Sequence, residues 1–150
     1  MRAALLLPLA FLALSGCRDQ RQQLGQALSG KPPVIAGSLE GEWQIEDLNG
    51  GGPVARGSLM FDPGDQGTSR LSGTAGCNRF TGSWKQDGAT LQLGPMAATR
   101  MACPPPAMEI EQRVLALLEA VISVTYTADG TAILATQDGR KLKLMRPPKA

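Results

Sequence analysis

The chain has 150 residues, with 15 Lys and Arg against 13 Asp and Glu, three cysteines and no histidine. Without histidine there is no Ser-His-Asp or Cys-His nucleophile arrangement and no zinc site that needs an imidazole, so a hydrolase would have to work with carboxylates or lysine. A net charge of +2 spread evenly, and aromatics at 4%, supply neither the electrostatic footprint nor the stacking platforms of a nucleic-acid binder, and the length suits one domain.

The N-terminus reads as an export signal. Met1 and Arg2 give a positive start, and Ala3 to Leu14 is an apolar run interrupted only by Pro8, which is too short to span a bilayer. It ends in Leu14-Ser15-Gly16-Cys17, which resembles the lipobox of bacterial lipoproteins. The resemblance implies a lipoprotein signal peptide over residues 1–16 and a diacylglyceryl thioether on Cys17, the new N-terminus. The alternative is an ordinary signal cleaved after the same small residues without lipidation. Two or three acyl chains, at about 0.8 kcal/mol per buried methylene, hold a protein on a bilayer far more firmly than one, so the membrane is a partner through the anchor. Arg18 stands where an aspartate would resemble the inner-membrane retention signal of enteric bacteria; the expected location is the outer membrane, facing the periplasm.

Residues 17–40 are polar, rich in Gln, Gly and Ser, and broken by Pro32-Pro33, the composition of a lipidated flexible tether. A short helix across Gln20 to Leu28 fits this stretch without being demanded by it.

From Gly41 onward, short apolar alternations bounded by turn residues predict an antiparallel β domain over residues 41–146, followed by a tail over 147–150. Trp43 and Ile45 alternate with Gln44 and Glu46, and after the Asn49-Gly50-Gly51-Gly52-Pro53 break Leu59 and Phe61 alternate with Ser58 and Met60. Leu71, Gly73 and Ala75 keep the period of two, as do Phe80, Gly82 and Trp84, and Leu91 and Leu93 follow the Asp87-Gly88 turn. Three further strands, near 123–127, 131–135 and 141–145, are separated by Asp129-Gly130 and Asp138-Gly139, which predict tight hairpins with positive φ.

One stretch has helical period. Ile110, Val114, Leu117, Leu118 and Val121 form a stripe, with Glu111, Gln112, Arg113 and Glu119 mostly opposite. Prolines 104–106 suit the approach and first turn, and Glu109 and Glu111 are expected to complement the positive end of the helix dipole. The fold class predicted is α+β, mainly β: a curved antiparallel sheet, or partly open barrel, of about seven to eight strands with one packed helix.

With Cys17 assigned to lipid, Cys77 and Cys103 form an even pair in an oxidising compartment, for which a disulfide is the first expectation. Two reduced, buried thiols acting as small hydrophobes are the alternative. A redox-active pair lacks support, since there is no Cys-x-x-Cys spacing.

The residues around this pair carry a family resemblance. Gly73-Thr74-Ala75-Gly76-Cys77-Asn78-Arg79-Phe80-Thr81-Gly82, then Ala98-Thr99-Arg100-Met101-Ala102-Cys103, then a glutamate at Glu109, are similar to the META domain family, which includes the HslJ-like heat-shock and envelope lipoproteins. Trp43, the Leu59 to Phe61 strand and the closing Gly139 to Arg146 segment fit the same pattern, so the resemblance spans about residues 40 to 146. It implies a compact curved sheet with one helix, no known enzyme activity, and loose links to heat shock, motility and antibiotic tolerance.

Several features offer candidate sites. Gly73 to Gly76 is followed by neither Gly-Lys-Ser/Thr nor a helix, so it reads as close packing or a bulge instead of a phosphate cradle. Glycines 50–52 read as a flexible hairpin tip. Asn78, Arg79, Thr99 and Arg100 flank the two cysteines, and a disulfide would bring the arginine-bearing segments together, where two guanidinium groups can grip a carboxylate or phosphate. The bland alternative is a turn-forming Asn78 with solvated or paired arginines. Arg140, Lys141, Lys143, Arg146 and Lys149 form a basic stretch without an acid, suited to an anionic envelope component or simply to solvating a terminal strand. Glu42 and Glu46 lie opposite Trp43 and Ile45, a solvent-facing arrangement and not the paired carboxylates of a glycosidase.

The sequence therefore reads as a non-enzymatic envelope lipoprotein without cofactor, metal or nucleic acid, whose partners are the membrane and another envelope protein or anionic component. Two other classes stay open: a proteinaceous inhibitor of an enzyme such as lysozyme, and a hydrophobic-ligand carrier, which requires an apolar cavity in place of a packed core.

Overall fold

The computed structural model describes residues 37–65 and 69–148. The signal peptide, Cys17 and nearly all of the tether lie outside the described residues. The strands are β1 (Gly41–Leu48), β2 (Gly57–Asp62), β3 (Arg70–Ala75), β4 (Arg79–Asp87), β5 (Thr90–Leu93), β6 (Ala97–Ala98), β7 (Val121–Tyr126), β8 (Ala132–Thr136) and β9 (Lys141–Met145). A single helix among the described residues, α1 (Pro105–Glu119), separates β6 from β7.

All pairings are antiparallel, and the sheet closes on itself. Strands run β3-β2-β1-β9-β8-β7-β5-β4, and β4 returns to pair with β3, giving an eight-stranded barrel with the short β6 added to β4. Mainly β with one helix is therefore the architecture, and the partly open sheet is in fact closed. Closure removes the free edges on which another chain could template. Strand β9 pairs with both β1 and β8, so its lysines do not guard an edge. The thinnest seam is β5 to β7, held by the Thr90 and Ser123 register pair and by the Val124 amide donating to the Ala89 carbonyl at 2.9 Å.

Period-two alternation produces the core. Trp43, Ile45, Leu59, Phe61, Leu71, Ala75, Phe80, Trp84, Leu134, Leu142 and Leu144 point inward and are buried. Phe61 and Trp84 meet edge to face at 5.3 Å, worth about 1 kcal/mol beyond the burial itself. A bulge in β1 between Ile45 and Asp47 inserts Glu46, which is why the next buried residue after Ile45 is Leu48, three positions on.

Helix α1 buries Glu111, Val114, Leu117 and Leu118 and packs against β3 and β9. Each of the three aliphatic side chains contributes about 2 kcal/mol by leaving water. The helix begins without a side-chain cap: Pro104 precedes it, and Pro105 and Pro106 occupy its first positions. Proline has no amide hydrogen, so three of the four usual orphan donors are missing, and the fourth, the Ala107 amide, donates to the Pro104 carbonyl, as does the Met108 amide. The first turn holds no acid; Glu109 lies beyond it, and Glu111 is turned inward, so the expected dipole pairing is absent. Val121, assigned by periodicity to the helix, opens β7, because the helix ends at Ala120, whose amide bonds the Leu117 carbonyl at 3.1 Å.

The two C-terminal hairpins have turns of the same type. Thr127 and Thr131 bracket the first, Thr136 and Arg140 the second, and Gly130 and Gly139 take φ of 84° and 88°. Only the glycine of each Asp-Gly pair has positive φ, so these are three-residue loops with a left-handed last residue and not two-residue turns. The aspartate accepts from the preceding threonine hydroxyl in each: Thr127 to Asp129 and Thr136 to Asp138. The glycine run at 50–52 is also structured, since the Asp47 carboxylate accepts from the amides of Gly50 at 2.7 Å and Gly52 at 2.8 Å.

The folded unit reaches past Gly41 into the segment assigned to the tether. Leu39 is fully buried, its carbonyl accepts from Trp43 Nε1 at 2.6 Å, and its amide donates to Gln86 Oε1 at 3.2 Å. Residues 37–40 thus belong to the folded unit, held against Trp43, Gln86, Tyr126 and Arg146.

Candidate functional site

Cys77 and Cys103 form a disulfide, with Cα atoms 6.2 Å apart, and Asn78 organises everything beside it. Gly76 takes a φ of 100° to turn the chain between β3 and β4. The turn leaves Asn78 5% exposed, with its amide side chain aimed at two other segments. Its Oδ1 accepts from the Thr99 hydroxyl at 2.9 Å and the Met101 amide at 2.7 Å. Its Nδ2 donates to Glu111 Oε1 at 2.9 Å, while its backbone amide donates to Glu111 Oε2 at 2.6 Å. The Arg79 amide donates to Thr99 Oγ1 at 3.2 Å, and the Thr99 amide returns a bond to the Arg79 carbonyl at 2.9 Å.

Of the residues singled out as a binding site, Asn78 and Thr99 are consequently engaged within the chain. They fasten the 97–103 segment and the helix to the β3–β4 turn, and their hydrogen-bonding capacity is largely spent. Arg79 and Arg100 are exposed, and neither guanidinium forms an ion pair among the described residues. The disulfide brings their segments together, as expected, but the two arginines share no bound group or common carboxylate.

Arg79 instead lines a depression on the outer wall, about 320 Å³ in volume, together with Glu42, Ser58, Met60, Ser72 and Thr74. Its origin is Gly73. A Cβ there would lie 2.4 Å from the Ser58 carbonyl oxygen and 2.9 Å from both Leu59 Cδ2 and Phe80 Cζ. With no side chain to prop it outward, β3 settles onto the core, and the wall is dented above a floor of small hydroxyl residues. Other depressions border Pro63 and Ser69, beside the connection whose residues 66–68 are not described.

The opposite end of the barrel is closed by Arg146 and Gln86. The Arg146 guanidinium lies 3.9 Å from the centroid of the buried Trp43 ring and donates to the carbonyls of Glu42 and Ser38, each at 3.3 Å. Gln86 Oε1 accepts from the Leu39 amide and, at 3.0 Å, from the Tyr126 hydroxyl; Nε2 donates to the carbonyls of Gly37 and Gly88, both at 2.9 Å. Burial pushes the Tyr126 phenol above its ordinary pKa, against the opposing effect of the Gln86 bond.

The basic stretch is partly spent in the same way. Arg140 pairs with Asp138 at 2.8 Å, Lys143 lies 3.6 Å from Glu46, and Arg146 is stacked on Trp43. Glu42 is exposed, as the alternation of β1 dictates. Among the described residues no three His, Cys, Asp or Glu side chains cluster as metal ligands, and no helix is long and apolar enough to cross a membrane.

The reading of the sequence missed Glu111 and Gln86. Glu111 carried a signal, since 111, 114 and 118 share a stripe on a helix and a carboxylate on the buried stripe asks for a partner. Gln86 carried none, because its partners are backbone groups and a tyrosine far away in sequence.

A family model described as the META domain matches residues 37–149. Two solved structures are similar. One, an NMR structure of a protein from Burkholderia xenovorans, has a TM-score of 0.55 at 22% identity and covers 79% of this chain and 98% of that one. The other, also determined by NMR, has a TM-score of 0.54 at 27% identity and covers 70% of this chain and 87% of its own. No curated protein matches. The first likeness speaks for the fold alone, but the family match begins where the folded unit begins, includes both cysteines and the Asn78 turn, and covers well over half of the sequence. The chain belongs to the META domain family.

Proposed function

We propose that this protein is a non-enzymatic envelope lipoprotein, anchored through Cys17 to the outer membrane on its periplasmic side, whose barrel acts by binding a component of the envelope under stress. The observation that carries the binding role is the division of labour in the domain. Its interior is filled by Trp43, Phe61, Leu71, Leu134 and their neighbours, while the charged groups left without partners, such as Arg79 and Glu42, stand on the outer wall. A filled interior favours recognition on the outside over carriage of a hydrophobic ligand within. The anchor rests on the Leu14-Ser15-Gly16-Cys17 sequence.

Fractionation and capture test this reading together. Wild-type protein is expected in the outer-membrane fraction, with Cys17→Ala protein released from it, and cross-linking in intact envelopes is expected to yield a discrete adduct that survives detergent. A Cys17→Ala protein that stays membrane-bound, or the absence of any adduct, would sink the proposal. Stoichiometric inhibition of lysozyme by the purified protein would replace it with the inhibitor reading.

A further inference from the structure

The depression over Gly73 has features of a site built for one kind of ligand. Its floor is crossed by β1, β2, β3 and β4, and register places Glu42 beside Met60 and Ser72, and Arg79 beside Thr74 and Ser58. The floor is therefore made of Ser58, Ser72 and Thr74, half-buried hydroxyl side chains that both donate and accept hydrogen bonds. Met60, 40% exposed, offers an adaptable apolar contact. Arg79 and Glu42, of opposite charge, stand toward opposite sides, three strands apart. At about 4.8 Å per strand, and with an offset of two residues along the strands at about 3.4 Å each, their backbones are about 16 Å apart, and neither side chain forms an ion pair or hydrogen bond among the described residues. All other elements of the site are held: the disulfide and Asn78 fix the start of β4, and Gly73 fixes the depth.

We propose that this dent binds a short peptide by its two charged ends. The free carboxylate lies on the Arg79 guanidinium, whose planar fork matches it bidentately. The amino group lies toward Glu42, the peptide groups between them bond the Ser58, Ser72 and Thr74 hydroxyls, and one side chain rests on Met60. Two to three extended residues cover about 7 to 10 Å, and the two charged side chains close the remaining distance. A volume of about 320 Å³ lies at the small end of ligand sites. The assignment deepens the binding role proposed above and rests on it only for placing recognition on the outer wall; an unlipidated Cys17 would leave the peptide site untouched.

Titration of the 15N-labelled, purified full chain with tri-alanine, followed by amide chemical shifts, tests this assignment. Saturable shifts are expected at Ser58, Ser72 and Thr74. Amidating the peptide carboxylate, or the substitution Arg79→Gln, should weaken binding about tenfold or more, the scale of a lost charged hydrogen bond. Acetylating the amino group or changing Glu42→Gln should weaken it less, about threefold, since an exposed ammonium–carboxylate pair lacks the bidentate geometry that Arg79 offers. The Arg79 side chain has no partner to lose, so the rest of the Arg79→Gln spectrum should match wild type. No saturable shift in the millimolar range, or equal binding by Arg79→Gln protein, would overturn the proposal. So would inorganic phosphate producing the same shifts at the same concentration, which would make the dent a simple anion site.

Discussion

Asn78 and Glu111, 33 positions apart in sequence, are joined by two hydrogen bonds of 2.6 and 2.9 Å in a pocket where both are at least nine-tenths buried. One carboxylate thereby satisfies the backbone and the side chain of the residue that follows Cys77, and couples the helix to the turn between β3 and β4. Removing either partner strands the other's buried polar groups, which costs about 1–3 kcal/mol or more where a charge is involved. Glu111→Ala and Asn78→Ala should each lower stability by about 2–4 kcal/mol in urea melts. The double variant should lose clearly less than the sum, the signature of direct coupling; strict additivity would show that the two residues act separately.

The disulfide closes a loop with a sequence separation of 26, for which the loop-entropy relation gives about 3.5 kcal/mol. The paired substitution Cys77→Ala and Cys103→Ala should lower the free energy of unfolding in urea melts by that order while leaving the far-ultraviolet circular dichroism unchanged, since the Asn78 network holds the same segments.

Gly73 should be the least tolerant glycine in the sheet. A methyl group there meets Ser58 oxygen at 2.4 Å, a backbone atom that cannot swing aside. Gly73→Ala should cost about 1–3 kcal/mol through overpacking and shift resonances of Leu59 and Phe80. Gly88→Ala, with open space around it, carries only the strain of its positive φ and should cost less.

Arg146 is expected to matter as a flat guanidinium and not merely as a positive charge. Stacked at 3.9 Å on a buried indole, it contributes about 1–2 kcal/mol. Arg146→Lys should recover little of the loss seen in Arg146→Ala, because an ammonium cannot stack and reach both the Glu42 and Ser38 carbonyls. Equal melting temperatures for wild type and Arg146→Lys would contradict this.

Three turn carboxylates predict the acid limb of the stability curve. The Thr127 hydroxyl first, then the Thr131 backbone, holds Asp129 below the ordinary carboxylate range; the Thr136 hydroxyl does the same for Asp138, and the Gly50 and Gly52 amides for Asp47. A folded-state pKa below the unfolded value means that the unfolded chain takes up protons first. The contribution is therefore fully present above the ordinary value of about 3.9 and lost as pH falls through the lowered folded values. Stability should be flat from neutral pH down to about 5 with respect to these groups, and then fall. Asp129→Asn and Asp138→Asn together should flatten that acid limb in pH-dependent urea melts.

Strand and helix content was legible because alternation and turn glycines act locally: Trp43, Ile45, Leu59 and Phe61 announce their faces by spacing alone. Barrel closure was not, since it depends on β1 pairing with β9 from the far end of the domain and on β5 pairing with β7 across the helix, which no local window contains. The domain start was misplaced for a similar reason. Leu39 stands among Gly, Ser and Glu, and only its long-range bonds to Gln86 and the Trp43 indole beside it show that it is buried. At the candidate site, the Asn78 and Thr99 segments were correctly brought together by the disulfide, but their hydrogen-bonding capacity is directed inward by Glu111. Period two already sets Gly73 on one face with Leu71 and Ala75, but the dent over it depends on how closely Ser58 and Phe80 approach, which follows only from the register with both neighbouring strands.

The most direct measurement of the central claim is the intact mass of the protein extracted from membranes, before and after reduction. The account predicts a chain beginning at Cys17, carrying the mass of a diacylglyceryl group with or without a further acyl chain, and gaining one hydrogen for each of Cys77 and Cys103 on reduction. An unmodified Cys17 would contradict the anchored lipoprotein, whatever the state of the other two cysteines.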